Sequence, residues 1–326
     1  MVAARAGVSA ATVSLVTNGK TAGRVSGENI AKVEQAVQEL GYVVDSLGSS
    51  LAKGHSNIVI LVAPDVSNPF YAKVIAGLRE VIGQQYALLL SVTDAGQTPD
   101  PADVRRLLAL RPAGLLVDAP SAGFLSELQA TEPMVLLDAA GISNDVPAVN
   151  FDVASGARLL AQHLTGQGHR TVAYLDSTTG TETFRVRREA FSEEAEQLGC
   201  EVVAMEQTTI DVGAAALAFT RVWQQWSAAG VTAIVCATDT QAYGVLQEAR
   251  VVGVPVPQRL AVTGFDDLPY SLSSSPGLTS VHLPAMEMGR LAGQQLLQVI
   301  HGESVVATPV VLEATLVVRG STVEEA

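Results

Sequence analysis

Cysteine is scarce: Cys200 and Cys236 are the only two in 326 residues. That count offers no disulfide framework and fits a reducing compartment. Long hydrophobic runs are missing too, and none has the length needed to span a bilayer. No secretory signal is visible, because Arg5, Gly7 and the Ser/Thr positions that follow interrupt any apolar segment. These absences lead us to expect a cytoplasmic protein with no membrane partner. Catalytic signatures are lacking as well, with no G-x-S-x-G elbow, no P-loop and no H-E-x-x-H. His55, His163, His169, His282 and His301 are scattered without metal-ligand spacing. Asp266-Asp267 offers two carboxylates, but a strand-end carboxylate in a binding cleft explains it more simply than a metal. We therefore expect no enzyme, no metal and no cofactor.

Positive charge is in short supply, with 20 basic against 33 acidic residues and a net charge of −13. The deficit is uneven. Residues 1–54 carry five basic and four acidic side chains, a net +1, which leaves −14 for the rest. A nearly neutral segment has little of the long-range attraction to phosphate that drives nucleic-acid binding. Hydroxyls, backbone N–H groups and helix N-termini would have to make many of the phosphate contacts.

What is present begins at that segment. Val2–Ala6, Gly7 and the run from Ser9 to Lys20 read as a short helix, a tight turn and a second helix. Gly7 supplies the backbone freedom the turn needs. Ser9 is a good N-cap, since its hydroxyl can accept from an orphan N–H of the first turn. Ala3 and Ala6 are small enough for two helices to cross closely. This is the helix-turn-helix pattern, whose second helix enters the DNA major groove. Ser26 caps a third helix with the stripe Ile30, Val33, Val37 and Leu40, and Gly41 stops it. Residues 1–41 thus form a helix-turn-helix DNA-binding unit, and 42–56 form a hinge that is too short to hold a helix in isolation.

From Asn57 onward strand-like apolar runs alternate with helical stretches. Hydrophobic residues make up 48% of the chain, enough for large cores. Candidate strands are 58–63, 87–93, 114–117, 135–137 and 148–151, followed by 172–175, 202–205, 233–237 and 260–265. Alternating β and α with near-continuous apolar strands predicts an α/β fold with parallel sheets. Two successive sets predict two similar lobes, with a ligand outside the carboxyl ends of the strands, between them.

In this order the chain resembles the lactose-repressor (LacI/GalR) family of bacterial transcription regulators. The resemblance is carried by 2–19, 25–42, Ser50-Leu51 with Gly54, and 64–71. It continues through Gly156-Ala157-Arg158-Leu159, Gly168-His169-Arg170, Arg187 four residues before Phe191, Gly264-Phe265-Asp266-Asp267 and 278–281. It implies a three-helix headpiece and hinge on a periplasmic-binding-protein-like core. The core, 57–326, would have an N-lobe of about 57–152 and 284–308 and a C-lobe of about 153–283 and 309–326. It further implies a homodimer that reads operator DNA and is controlled by a small effector, a sugar or a nucleoside-like compound. The chain ends at Val318-Arg319-Gly320-Ser321 and a short acidic tail, without a leucine-heptad helix, which favours a dimer over a tetramer. Met1 stands where the family usually has an acidic residue with several residues before it, so we expect either a true start upstream or a sequence trimmed at this end.

Residues carry over position by position. Ala10, Ala11 and Leu15 match base-reading positions; the small alanines could instead merely pack. Leu15 replaces a frequent arginine, so a bidentate guanine contact is missing, although alanine and leucine can touch a thymine methyl. Ser9 sits at the helix start, and Thr12, Ser14, Thr17 and Asn18 suit phosphate contacts. Leu51 matches a leucine that wedges into the minor groove. Gly48 and Ser49 depart from the family pattern and should weaken a hinge helix.

In the cleft, Phe70 and Tyr71 are stacking candidates. Asp138 ends a strand. Arg187 matches an arginine that forks onto ligand oxygens, a geometry lysine does not reproduce. Asp266 matches a carboxylate that accepts from ligand hydroxyls, and Thr238 stands in the place of a frequent asparagine. Asp239 and Asp267 read as helix N-caps rather than ligands. The resulting expectation is a DNA-binding repressor with effector-controlled operator affinity. The alternative is a cytoplasmic sugar- or nucleoside-binding protein without operator function.

Overall fold

The computed structural model describes residues 1–17, 21–41, 56–64, 66, 68–93, 97–142, 145–305 and 308–324. Asn18, Leu51, Gly48, Ser49 and nearly all of the 42–56 hinge lie outside these described residues. The chain divides into two compact units, Met1–Ser56 and Asn57–Ala326.

The first unit holds helices α1 (Val2–Ala6), α2 (Ala10–Thr17) and α3 (Gly27–Leu40). Gly7 ends α1 in the left-handed region at φ 66°. Ser9 Oγ accepts from Thr12 N at 3.1 Å, which caps α2. Ser26 Oγ accepts from Asn29 N, and Gly41 closes α3 at φ 56°. Val2, Ala6, Val13, Val33 and Ala36 form a small core. Ala36 takes the place that the sequence pattern assigned to Leu40, which is exposed. The core is mostly valine and alanine, so helix ends and a surface Arg5–Glu39 pair supplement it.

The second unit contains two six-stranded sheets. In chain order its elements are β1 (Ile58–Ala63), α4 (Pro69–Ile82), β2 (Ala87–Val92), α5 (Pro101–Leu107), β3 (Gly114–Asp118), α6 (Phe124–Leu128), β4 (Met134–Leu137) and β5 (Ala148–Phe151). Then follow α7 (Val153–Gly166), β6 (Thr171–Ser177), α8 (Glu182–Gln197), β7 (Glu201–Thr208), α9 (Val212–Ala228), β8 (Ala233–Cys236), α10 (Asp239–Val251), β9 (Ala261–Asp266), α11 (Tyr270–Ser273) and β10 (Thr279–His282). The chain ends with α12 (Ala285–Ile300), β11 (Val310–Leu312) and β12 (Thr315–Val317). The sheet orders are β11-β5-β4-β3-β1-β2 and β12-β10-β9-β8-β6-β7. Every pairing is parallel except β10 with β12.

Strand alternation explains why the runs read as continuously apolar. In β1, Val59, Leu61 and Ala63 face the core built with Phe70, Val74 and Leu78 of α4, while Ile60 and Val62 face Val104, Phe124 and Leu128. Both faces are covered, as parallel sheets require. Each fully buried Val, Leu or Ile side chain contributes about 1.5–3 kcal/mol. Helices α4 and α12 meet backbone to backbone. A Cβ on Gly77 would stand 2.0 Å from Met286 O, and one on Gly289 would stand 2.1 Å from Val74 O.

The chain passes between the sheets three times: after β5, between β10 and α12, and between β11 and β12. The last passage corrects the sequence reading. β11 pairs in parallel with β5, Val310 opposite Val149, so 310–312 belong to the first lobe and the crossing falls at 313–314 rather than after 308. A three-residue strand carries too little periodicity to be placed from sequence. Polar Thr279 and Ser280 likewise hid β10, whose hydroxyls are satisfied internally by Arg319 O and Asp239.

Candidate functional site

In the first unit, Ser9, Ala10, Ala11 and Ser14 are exposed along α2, while Val13 is buried. The alanines therefore do not pack into the unit's own core. Thr17 Oγ1 donates to Val13 O at 2.9 Å, so this hydroxyl is engaged within its helix. Thr12 Oγ1 lies 2.9 Å from Ser9 Oγ. Leu15, Thr12 and Thr17 are half-buried.

In the second unit, a cavity of about 380 Å³ opens where strands of both sheets end. Phe70, Tyr71, Asp138, Arg187, Thr238 and Asp266, picked separately from the sequence, all line it. The reason is topological. Asp118 ends β3, Asp138 follows β4, Thr238 follows β8 and Asp266 ends β9, so parallel strands deliver side chains to one edge. Ala119, Asp138 and Asp266 hold positive φ angles of 42°, 46° and 105°. Such conformations cost a non-glycine residue about 1–3 kcal/mol each, and they concentrate at binding sites.

Arg187 is almost enclosed, 4% exposed. Its Nη1 donates to Ala237 O at 3.0 Å and stands 3.4 Å from Asp266 Oδ1. Its guanidinium carbon lies 4.1 Å from the centre of the Phe265 ring and 5.1 Å from that of Phe184. Nε has no hydrogen-bond partner. Burial pushes the Asp266 carboxyl up to about 6, although Arg187 opposes the shift. Tyr71 Oη donates to Asp118 Oδ2 at 2.8 Å. Burial, then the charge of Asp118, holds the Tyr71 hydroxyl well above its ordinary value, so it stays a donor. Phe70 packs edge-on against Tyr71 and Phe151, with centroids 5.3 and 5.8 Å apart. It serves the core and the cavity wall together.

Six buried side-chain polar atoms among the described residues have no hydrogen-bond partner. Four of them, Asp138 Oδ1, Thr181 Oγ1, Thr183 Oγ1 and Arg187 Nε, belong to residues that line this cavity. Unsatisfied buried groups are costly, so their collection in one cleft marks it as a place for a polar guest.

Two sequence readings are corrected. Asp239 is not the N-cap of α10. Thr238 is, accepting from Gln241 N at 3.4 Å, and Asp239 is the first helical residue. The Asp239 carboxylate instead accepts from Leu268 N at 2.7 Å and from Ser271 and Ser280. Asp267 caps no helix either. α11 begins after Pro269, and Asp267 accepts from Arg319 at 2.7 Å and pairs with His282 at 3.1 Å. Of the neighbouring arginines, Arg185 is the solvated one, paired with Glu182 and Glu189. Asp118, which the motifs do not mark, also lines the cavity, closing its strand just as Asp138 follows its own. The threonines at 178, 179, 181, 183 and 209 carried no spacing that marked them.

No helix among the described residues is long and apolar enough to cross a membrane, and no group of His, Cys, Asp and Glu could hold a metal ion. Residues 2–45 match the family described as bacterial regulatory proteins, lacI family, and residues 161–322 match a periplasmic binding protein-like domain. The HTH-type transcriptional regulator GntR of Pseudomonas aeruginosa is 30% identical over 98% of this chain and 94% of its own length. The chain belongs to the lacI family of bacterial regulatory proteins. The ribose operon repressor of Halalkalibacterium halodurans is 29% identical, covering 98% and 96% of the two chains. The lac repressor dimer bound to operator and the anti-inducer ONPF shares this regulator's fold, with a TM-score of 0.83, 24% identity and coverage of 98% and 97%. The helix-turn-helix headpiece and the two-lobed α/β core follow the architecture expected from the sequence.

Proposed function

We propose that this regulator is a cytoplasmic, homodimeric repressor whose affinity for operator DNA is set by a small polyhydroxylated effector bound in the 380 Å³ cleft. The observation that carries this reading is the cluster of four orphaned polar atoms on the walls of one cavity, in a chain that also bears a helix-turn-helix unit. Carboxylates accept from vicinal hydroxyls, Arg187 forks onto ligand oxygens, and Phe70 offers a ring edge or face to a sugar. A ribose operon repressor among the relatives supports a sugar as the guest.

The DNA side rests on Ser9, Ala10, Ala11, Thr12, Ser14, Leu15 and Thr17 of the α2 region, with Asn18 and Leu51 outside the described residues. The effector side rests on Phe70, Tyr71, Asp138, Arg187, Thr238 and Asp266. Three short passages between the lobes act as the hinge, and effector binding favours a closed arrangement. Exposed Tyr270 and Leu272 on α11 suit a second copy of the chain.

Fluorescence anisotropy of the protein on DNA from its own upstream region, with and without pooled sugars and nucleosides, tests this reading. Salt-dependent, sequence-selective binding altered by a pool member is expected. Absence of selective binding would leave a binding protein without operator function.

A further inference from the structure

This inference deepens the effector reading above and rests on it. Four carboxyls, those of Asp118, Asp138, Asp211 and Asp266, line the cavity. Asp211 is exposed and accepts from Ala214 N at the start of α9, and among the lining residues the one side-chain cation is Arg187. That cation already serves the second lobe, where it meets Ala237 O and Asp266 and lies over the Phe265 ring. The first lobe brings Asp118 and Asp138 from the ends of two adjacent strands, paired with Asp118 opposite Leu137. Asp118 is 3% exposed, and the hydrogen bond it makes among the described residues is the one from Tyr71. Asp138 Oδ1 is enclosed and accepts from nothing. Burial, reinforced by the charge of Asp138, pushes the Asp118 carboxyl well above its ordinary range.

A second observation points to a guest. Thr183, nearly fully buried, lines the same cavity with Asp138 as its polar neighbour, and its hydroxyl makes no hydrogen bond within 3.5 Å. Two carboxyls and a hydroxyl thus converge on a space with no protein cation of the first lobe to fill it. Sugar hydroxyls can donate to these carboxyls but bring no charge to favour their ionised form, and a phosphate or carboxylate would add like charge. A primary ammonium brings one positive charge and three donors. The aromatic rings of Phe70 and Tyr71 beside it are compatible with a cation as well.

We propose that the Asp118–Asp138 side of the cleft is a subsite for an ammonium group, and that the effector is an amine-bearing sugar. The ammonium donates to Asp118 and Asp138 and lies within the reach of Thr183. The sugar hydroxyls turn to Arg187 and Asp266 in the other lobe, so one guest ties both lobes together.

Isothermal titration of the full chain with matched sets tests this. The sets are glucosamine, galactosamine and mannosamine, their parent hexoses, and glucose 6-phosphate with galacturonate. At least one amino sugar should bind ten-fold or more tightly than its parent, and the acids should not bind measurably. The preference should disappear in Asp118→Asn, which keeps an acceptor for Tyr71, and in Asp138→Asn, with thermal melts showing that each variant folds. A parent hexose binding as tightly as its amine, or binding by an acid, overturns the ammonium subsite while leaving the effector reading intact. Failure of every amino sugar to bind also overturns it. If operator binding responds to no pool member either, the effector reading fails with it.

Discussion

Arg187 Nη1 stands 3.4 Å from Asp266 Oδ1 and 3.0 Å from Ala237 O, and so fastens α8 to the ends of two strands of its own lobe. The pair is nearly enclosed, with both side chains at 6% exposure or less. Removing one partner of such a pair leaves a buried charge uncompensated, at a cost of about 3–5 kcal/mol. Asp266 can relieve this by taking up a proton, since burial already sets it near 6. We therefore expect Arg187→Leu to destabilise the protein strongly at pH 8 and much less at pH 5, read as the midpoint of urea unfolding. Equal loss at both pH values would contradict the pairing. Arg187→Lys should retain most stability and lose effector response, because an ammonium cannot fork.

Asp239 gives a second pH effect. Burial, with the charge of Asp266, pushes its carboxyl up to about 8, against hydrogen bonds from Ser271, Ser280 and Leu268. In the unfolded chain it titrates near its ordinary 3.8. Between those values the folded state holds a proton that the unfolded state has released. Stability from this group is thus full below pH 4 and falls by up to about 1.4 kcal/mol per pH unit until it levels off past pH 8. Asp239→Asn should flatten the decline between pH 5 and 8 relative to the wild type. An unchanged slope would mean that Asp239 is ionised in the folded protein.

Gly77 and Gly289 carry a packing prediction. Either one replaced by alanine would place a Cβ 2.0 or 2.1 Å from a carbonyl oxygen, far inside van der Waals contact, so α4 and α12 must separate. Overpacking of this kind costs about 1–3 kcal/mol or more. Gly166→Ala is the control. It ends α7 with nothing within 4 Å of a built Cβ and no positive φ, so it should be neutral or stabilising by about 0.5–1 kcal/mol. Thermal melts of the three variants decide the matter.

Ser9→Ala removes the acceptor for Thr12 N. Loss of an N-cap costs about 0.5–2 kcal/mol. The small valine–alanine core around Val33 has little reserve, so operator affinity should weaken while effector affinity stays unchanged. Loss of effector affinity in this variant would contradict a local role.

Much of this was legible in the sequence because its physics is local. Gly7, Ser9, Ser26 and Gly41 punctuate three helices through their own caps, and strands buried on both faces read as apolar runs. Arg187, Asp138 and Asp266 were found through motif and strand-end position. What escaped depends on distant partners. Thr279 and Ser280 look unlike a core strand until Arg319 and Asp239 are seen to satisfy their hydroxyls. Asp118 gains its meaning from Tyr71, 47 positions away. Thr238 and Asp239 differ by one position in the helix, a distinction that cap geometry decides and residue type does not.

The central claim is that operator and effector sites are coupled, and coupling must be reciprocal. The most direct test is to measure effector affinity with and without saturating operator, and operator affinity with and without saturating effector, on the same preparation. The account predicts the same factor of change in both, and its loss in Arg187→Lys. Tight operator binding with an effector affinity that operator leaves unchanged would contradict it.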